Sequence, residues 1–337
     1  VKTSRIRCAA VLLCGLLLAP LGHAEPLQFA LLAKRVDHPF FILAGEGCAE
    51  AAQAQGDTCL LLGSSGPAHF RLQNEALEQA LKRGLDGIAL SVTHSKWLAE
   101  HALQGLGKTP LITFDSDLGP TERELRKGYV GLDNLAFGRQ LGLLAQRLRP
   151  QGGRLCILSA TSLDTNLLER LRGVRQQLRG GATGDGEAER LTGENGWQEL
   201  KRCPLYNANN QQSVLFQLTT LLNAGSVDII VSLGSWPIHQ AGEFRRQLGP
   251  LLAERDEQGA RPTIVIATPE PDPAQRALLD DGLIQAYLSM ESREIGRQSY
   301  WMMKRLAQGM AVPEKVLVDS HVYLPGAPSH SGTEQEQ

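Results

Sequence analysis

The residues able to do chemistry in this chain gather into short polar and aromatic stretches. Lys34, Asp37, His38, Phe40 and Phe41 fall in one segment, 34–41. Phe40 and Phe41 offer flat apolar faces that suit the C–H face of a compact polar ligand; packing at a helix start is the competing role. Asp115 offers a carboxylate that accepts charge-assisted hydrogen bonds from ligand hydroxyls, with capping as the alternative. Trp236 can stack on a ligand or a cation, or pack between elements. Catalytic patterns are missing: there is no Gly-x-Ser-x-Gly elbow, no P-loop and no Gly-x-Gly-x-x-Gly fingerprint. His38 has basic chemistry but no nucleophile tied to it. The eight histidines are scattered, and no Cys-x-x-Cys or His-x-x-His spacing marks a metal site. The set reads as a binding surface, with no enzyme activity, metal or cofactor implied.

These residues need elements to position them. Apolar runs at 28–33, 59–62, 87–92 and 111–114 read as strands. Between them, 41–55, 70–83 and 96–106 carry helical spacing. The pattern then repeats. Strands are expected at 154–159, 200–205, 227–233, 263–267 and 283–289, and helices at 135–149, 166–178, 213–223, 275–281 and 293–308. Strand and helix in alternation predict α/β architecture: two Rossmann-like lobes, each a parallel sheet flanked by helices. In such sheets ligands sit beyond the carboxyl ends of the strands. That rule selects 34–41, 91–94 with Ser91, 115–117, 159–165, 206–210 with Asn209, 234–239 and 268–272 with Thr268. The Arg-rich stretch 170–179 reads as a solvated helix face. The Gly- and Glu-rich stretch 180–196 reads as a surface loop, and 325–337 as a flexible tail.

The length, 337 residues, exceeds what one core usually supports. A formal net charge of −2 provides no basic excess for nucleic acid. At the N-terminus Lys2, Arg5 and Arg7 precede a short apolar run, and Gly22 and Ala24 supply small residues for cleavage before Glu25. Residues 1–24 are therefore expected to be a signal peptide, cleaved after Ala24 on export to the periplasm. Four cysteines then remain: Cys48, Cys59, Cys156 and Cys203. An even count in an oxidising compartment permits two disulfides, and three pairings are open. Cys48–Cys59 is favoured because both lie in one helix-to-strand unit. Cys156–Cys203 follows by elimination, against the difficulty that both are expected on strands; buried free thiols are the alternative.

A further set of marks has a specific order and spacing. They are Asp37-His38-Pro39-Phe40-Phe41, Gly84-Leu85-Asp86-Gly87-Ile88, and Pro110 through Asp115. Then come Asp133-Asn134 with Gly138, Arg170-Leu171-Arg172-Gly173, and Asp281 through Ala286. In these the chain resembles the ribose- and galactose-type periplasmic binding proteins, which share their fold with the ligand-binding part of lac-repressor-like regulators. The resemblance implies a hinge of three chain crossings, near 116–134 with Asp133 and Asn134, near Met290, and near 319–323. Lobe 1 would comprise 25–132 and 291–318, and lobe 2 would comprise 133–290 and 319–324. It implies a cleft drawn from Lys34, Asp37, His38, Phe40, Phe41, Ser91, Asp115, Arg170, Asn209, Trp236, Thr268 and Met290. Several of these depart from the family. Lys34, or its neighbour Arg35 if the register slips by one, replaces a small polar residue, Ser116 an arginine, Gly234-Ser235 an Asn-Asp pair, Asn209 an aromatic and Met290 a glutamine. The usual aspartate near Thr268 is missing. The resemblance thus implies a monomeric clamp for a small polar ligand such as a sugar or sugar acid, with ribose-like pentoses disfavoured. Its partner would be the permease of an ATP-binding-cassette importer or, alternatively, the periplasmic domain of a sensor.

Overall fold

The computed structural model describes residues 25–180 and 189–326. The expected signal peptide, part of the Gly-rich loop (181–188) and most of the expected tail (327–337) lie outside the described residues. From the N-terminal side the chain forms β1 (Gln28–Leu32), α1 (Pro39–Gln53), β2 (Thr58–Leu62), α2 (Phe70–Leu81), β3 (Gly87–Leu90), α3 (Ser95–Glu100), β4 (Leu111–Phe114) and β5 (Tyr129–Gly131). There follow α4 (Asn134–Leu148), β6 (Gly153–Ser159), α5 (Thr165–Leu178), β7 (Trp197–Glu199), β8 (Leu205–Tyr206), α6 (Gln211–Asn223), β9 (Ile229–Ser232), α7 (Ala241–Glu257), β10 (Thr263–Thr268), α8 (Pro273–Asp280) and β11 (Ala286–Ser289). The chain closes with α9 (Ser292–Ala307), β12 (Lys315–Leu317) and β13 (Val322–Tyr323).

Two sheets result. One runs β2-β1-β3-β4-β5-β12 and is parallel throughout. The other runs β13-β11-β10-β9-β6-β7, with β8 also paired to β6, and is parallel except for the edge strand β13. Central strands such as β3, β4, β9 and β11 are buried along their whole length, as expected of parallel sheets covered on both faces. The chain passes between the sheets after β5, after β11 and after β12.

Each lobe is closed by one tight helix crossing. At the first, a Cβ on Gly296 of α9 would lie 1.8 Å from the Ala44 carbonyl oxygen, and one on Gly47 of α1 would lie 2.0 Å from that of Arg293. At the second, a Cβ on Gly138 of α4 would meet the Arg170 carbonyl oxygen at 2.1 Å, and one on Gly173 of α5 that of Leu135 at 2.2 Å. Only glycine lets these backbones touch, so both crossings are encoded by small residues.

Some sequence expectations need correction. The strand expected at 200–205 is a turn; β7 ends before it and β8 starts at its close. The helix expected at 96–106 stops at Glu100 and gives way to a short 3₁₀ turn. Helix α7 and strands β5, β12 and β13 were not anticipated. The three strands are too short to show alternation, and α7 is charge-rich with an internal Pro250. The 170–179 arginines are not all solvated: Arg170 and Arg175 are buried, and Arg175 forks onto Glu199 at 2.7 and 2.8 Å. Both disulfides are present, Cys48–Cys59 with 5.8 Å and Cys156–Cys203 with 5.3 Å between Cα atoms. The second is reachable because Cys203 sits in the loop before β8 and not on a strand.

Candidate functional site

The carboxyl ends of the two sheets face one another, and the polar stretches singled out in the sequence meet there. Lys34 follows β1. His38 caps α1, its Nδ1 accepting the Phe40 N–H at 3.2 Å, and Pro39 opens the helix. That cap turns Phe40 and Phe41 inward, where they pack edge to face at 5.1 Å, with Phe41 also against Phe114 at 6.0 Å. Asp115 follows β4 in the left-handed region, φ 59°, a conformation that aspartate tolerates better than most residues. From the other lobe come Asp164 and Asn166 at the start of α5, Arg170 one turn on, Asn209 after β8, and Trp236 after β9. Met290 lies at the second crossing.

A small cavity of about 50 Å³ is lined by Lys34, His38, Phe40, Phe41, Asp115, Arg170, Asn209, Trp236 and Met290, all anticipated from sequence. Arg35, the alternative to Lys34 on the first loop, also lines it, as do Asp164 and Asn166, which the sequence does not single out. The strand-end rule had selected the loop that holds Asp164, but nothing local marked its side chain.

The polar groups form two networks, one around Asp115, Arg170 and Lys34 and one joining Trp236, Asn209 and Arg35. Asp115 accepts from Ser91 Oγ at 2.7 Å and Asn166 Nδ2 at 3.0 Å, with Arg170 Nη2 at 3.9 Å. Arg170 donates from Nε to Asn134 Oδ1 at 2.8 Å and from Nη1 to the Leu233 carbonyl at 3.0 Å, beside Met290 Sδ at 3.2 Å. Its guanidinium lies 4.9 Å from the Phe137 ring centre. Burial pulls Arg170 below its usual pKa, opposed by Asp115. Trp236 Nε1 donates to Asn209 Oδ1 at 2.8 Å. Lys34 Nζ donates to Asp164 Oδ2 at 2.7 Å and Asn166 Oδ1 at 3.2 Å. Arg35 Nη1 donates to the Asn209 carbonyl at 2.9 Å. The His38 and His239 rings meet edge on at 4.6 Å across the cleft. Burial holds both imidazoles well below their ordinary value, His239 down to about 4.

Three anticipated residues do not line the cavity. Asp37 is turned to solvent, forked by Arg35 at 2.6 and 2.8 Å, and the hydrogen bond from Arg35 brings its pKa down to about 2. Ser91 is fully buried behind Asp115 and acts on it through one hydrogen bond. Thr268 is buried at the end of β10 outside the cavity lining. Of the expected hinge residues, Asp133 caps α4, accepting the Ala136 N–H at 2.9 Å, and Asn134 holds Arg170. Among the described residues no cluster of histidine, cysteine and carboxylate side chains could hold a metal ion.

The order of strands, the paired lobes and the interlobe cavity match a known group. A family model described as a periplasmic binding protein domain matches residues 29–311. The chain belongs to this family. Periplasmic binding proteins of the type I fold are its structural neighbours. One is GanP, a glucose-galactose binding protein from Geobacillus stearothermophilus, with 19% identity and a TM-score of 0.73, covering 89% of this chain and 98% of that one. Another is an ABC transporter solute binding protein from Agrobacterium vitis bound with α-D-tagatopyranose, with 16% identity and a TM-score of 0.75, covering 90% and 97%. A third is a chain of the XylFII-LytSN complex, with 17% identity and a TM-score of 0.70, covering 89% and 98%. No functionally curated protein matches the chain in sequence.

Proposed function

We propose that this protein captures one small sugar or sugar-like polar ligand between its lobes by hinge closure, and that it is a binding protein and not an enzyme. The observation that carries this reading is the cleft itself. Aromatic faces from both lobes, Phe40, Phe41 and Trp236, flank hydrogen-bonding groups from both lobes, Asp115, Asp164, Asn166 and Arg170. Flat apolar faces beside carboxylate and guanidinium groups match the two surfaces of a sugar, its C–H face and its hydroxyls. The sugars named for the structural neighbours favour the same class. Closure follows from mass action: a ligand that touches both lobes binds the closed form better, and so shifts the population toward it. Lobe 1 is read as 25–132 with 291–318 and lobe 2 as 133–290 with 319–324, the hinge running through Asp133 and Asn134. Family membership implies a periplasmic or extracellular location, in keeping with export and cleavage after Ala24.

The test is a thermal-shift and calorimetric screen of hexoses, pentoses, sugar acids and polyols on the chain from Glu25 onward. A sugar present at 100 times its dissociation constant should stabilise the protein by about 2.7 kcal/mol. If no member of the screen shifts melting or gives heat, the reading falls. The bound protein would be presented to an ABC importer. A second reading, a ligand-sensing adaptor to a membrane sensor, is favoured by the likeness to a chain of the XylFII-LytSN complex. Purified transmembrane partners encoded beside the gene separate the two: ligand-dependent stimulation of a transport ATPase supports the first, and ligand-dependent binding to a sensor ectodomain the second.

A further inference from the structure

Lys34 carries a buried ammonium from lobe 1 to acceptors drawn from both lobes. Its Nζ lies 2.7 Å from Asp164 Oδ2 and 3.2 Å from Asn166 Oδ1 on lobe 2, and 3.7 Å from Asp115 Oδ2 on lobe 1. All four residues are buried, and Lys34 is only 6% exposed. An ammonium has three donors and no acceptor. Here two donors are hydrogen-bonded, to Asp164 and Asn166, and the Asp115 carboxylate lies within ion-pair reach. A charge taken out of water persists only when paired and hydrogen-bonded, and both sides of this contact meet that condition. The carboxylates depend on the cation as much as the cation depends on them.

We propose that the space framed by Asp115, Asp164 and Asn166 is an ammonium-binding site, and that the chain fills it with its own Lys34 as a tethered ligand. The lysine closes the clamp by the same rule an external ligand would follow, by touching both lobes. A ligand entering the cleft competes with it, so Lys34 sets a threshold that only well-matched ligands cross. When the side chain is cut back, the chemical class that fits the site is a small primary amine. This goes beyond the sugar-capture reading, and its test contains no sugar, so the two stand or fall separately.

The experiment is small-angle X-ray scattering of the wild type, Lys34→Ala and Asp164→Asn, each with and without ethylammonium chloride, and with tetramethylammonium chloride and ethanol as controls. The wild type should scatter as the compact closed form. Lys34→Ala should expand, and ethylammonium should return it to the wild-type curve. Tetramethylammonium, which cannot donate, and ethanol, which carries no charge, should leave it expanded. Asp164→Asn should expand and resist rescue. A Lys34→Ala protein as compact as the wild type, or an expanded one that ethylammonium does not close, overturns the proposal. If Lys34→Ala fails to fold, Lys34→Met keeps the buried stem and removes only the charge. It should expand and ignore ethylammonium, because its methyl group fills the site; a compact Lys34→Met protein again overturns the proposal.

Discussion

Acidification should open this clamp through one pair of side chains. His38 belongs to lobe 1 and His239 to lobe 2, and their rings meet edge on at 4.6 Å. Burial is the main reason both stay neutral. Arg35 adds repulsion at each ring, His239 and Lys34 add more at His38, and Asp37 pulls the other way at both. Asp37 itself, with a pKa of about 2, keeps its charge throughout the range considered. In the closed form His239 gains a proton only near pH 4. Once the lobes part and water reaches the rings, each should titrate near the ordinary 6.5. The open form therefore binds more protons at any pH between these values. Closure is at full strength above about pH 6.5 and weakens as pH falls toward 4. Two and a half units at about 1.4 kcal/mol per unit give roughly 3 kcal/mol for His239 over the full window. At pH 5 that shifts the equilibrium about thirtyfold toward the open form, so the affinity of a ligand that requires closure falls by up to about that factor. His38 adds to this loss, since protonating Nδ1 also removes the acceptor that caps α1. The assay is calorimetric titration with a sugar found in the screen at pH 7.5, 6.0 and 5.0, with scattering of the ligand-free protein at the same pH values. His239→Gln, and His38→Asn, which keeps a capping acceptor, should each flatten the profile. An affinity unchanged between pH 7.5 and 5.0, or a profile that survives in the double variant, would refute the reasoning.

Other outcomes follow from the same geometry. Asp115→Ala should weaken sugar binding ten- to a hundredfold, since a charge-assisted hydrogen bond is worth roughly 1.5–3 kcal/mol. It should also lower the ligand-free melting temperature, because Asp115 is buried against Lys34 and Arg170. Trp236 is 4% exposed. The difference in emission between the wild type and Trp236→Phe should shift to the red on acid opening, and an unchanged difference spectrum would place Trp236 outside the moving interface. Removing the Cys156–Cys203 bridge, with a sequence separation of 47, should cost more stability than removing Cys48–Cys59, with a separation of 11. The loop-entropy difference is about 1 kcal/mol, read as the gap between denaturation midpoints of the paired Cys→Ala variants. Gly296→Ala forces a methyl group within 1.8 Å of the Ala44 carbonyl oxygen. It should destabilise the protein by about 3 kcal/mol or more in urea denaturation, whereas the same change at the open Gly242 should not.

The sequence made the architecture legible because the signals that define it are local. Alternating apolar runs and helical spacing predict two parallel sheets, and the strand-end rule then names five loops that line the cavity, 34–41, 115–117, 159–165, 206–210 and 234–239, together with two, 91–94 and 268–272, that do not. It does not name the side chains that turn inward. Asp37 and Asp164 sit in loops of the same kind, yet Asp37 is drawn outward by Arg35 two residues away, while Asp164 is drawn inward by Lys34, 130 positions distant. Only the first of these pairings leaves a trace in adjacent residues. Some marks that supported the family resemblance are structural and have no contact with the cavity: Gly138 and Gly173 let α4 lie on α5, and Asp133 caps α4. Arg170 belongs to both classes, since the glycine crossing that fixes α5 against α4 also brings its Nε to Asn134 and its Nη2 toward Asp115. The departures from the family at Lys34, Asn209 and Met290 do converge on the cavity, with Lys34 bonded to Asp164, Asn209 to Trp236 and Met290 beside Arg170. Substitutions that meet in space and satisfy one another's hydrogen bonds are what a rebuilt binding site requires, because each buried polar group changed alone would leave its partner unpaired.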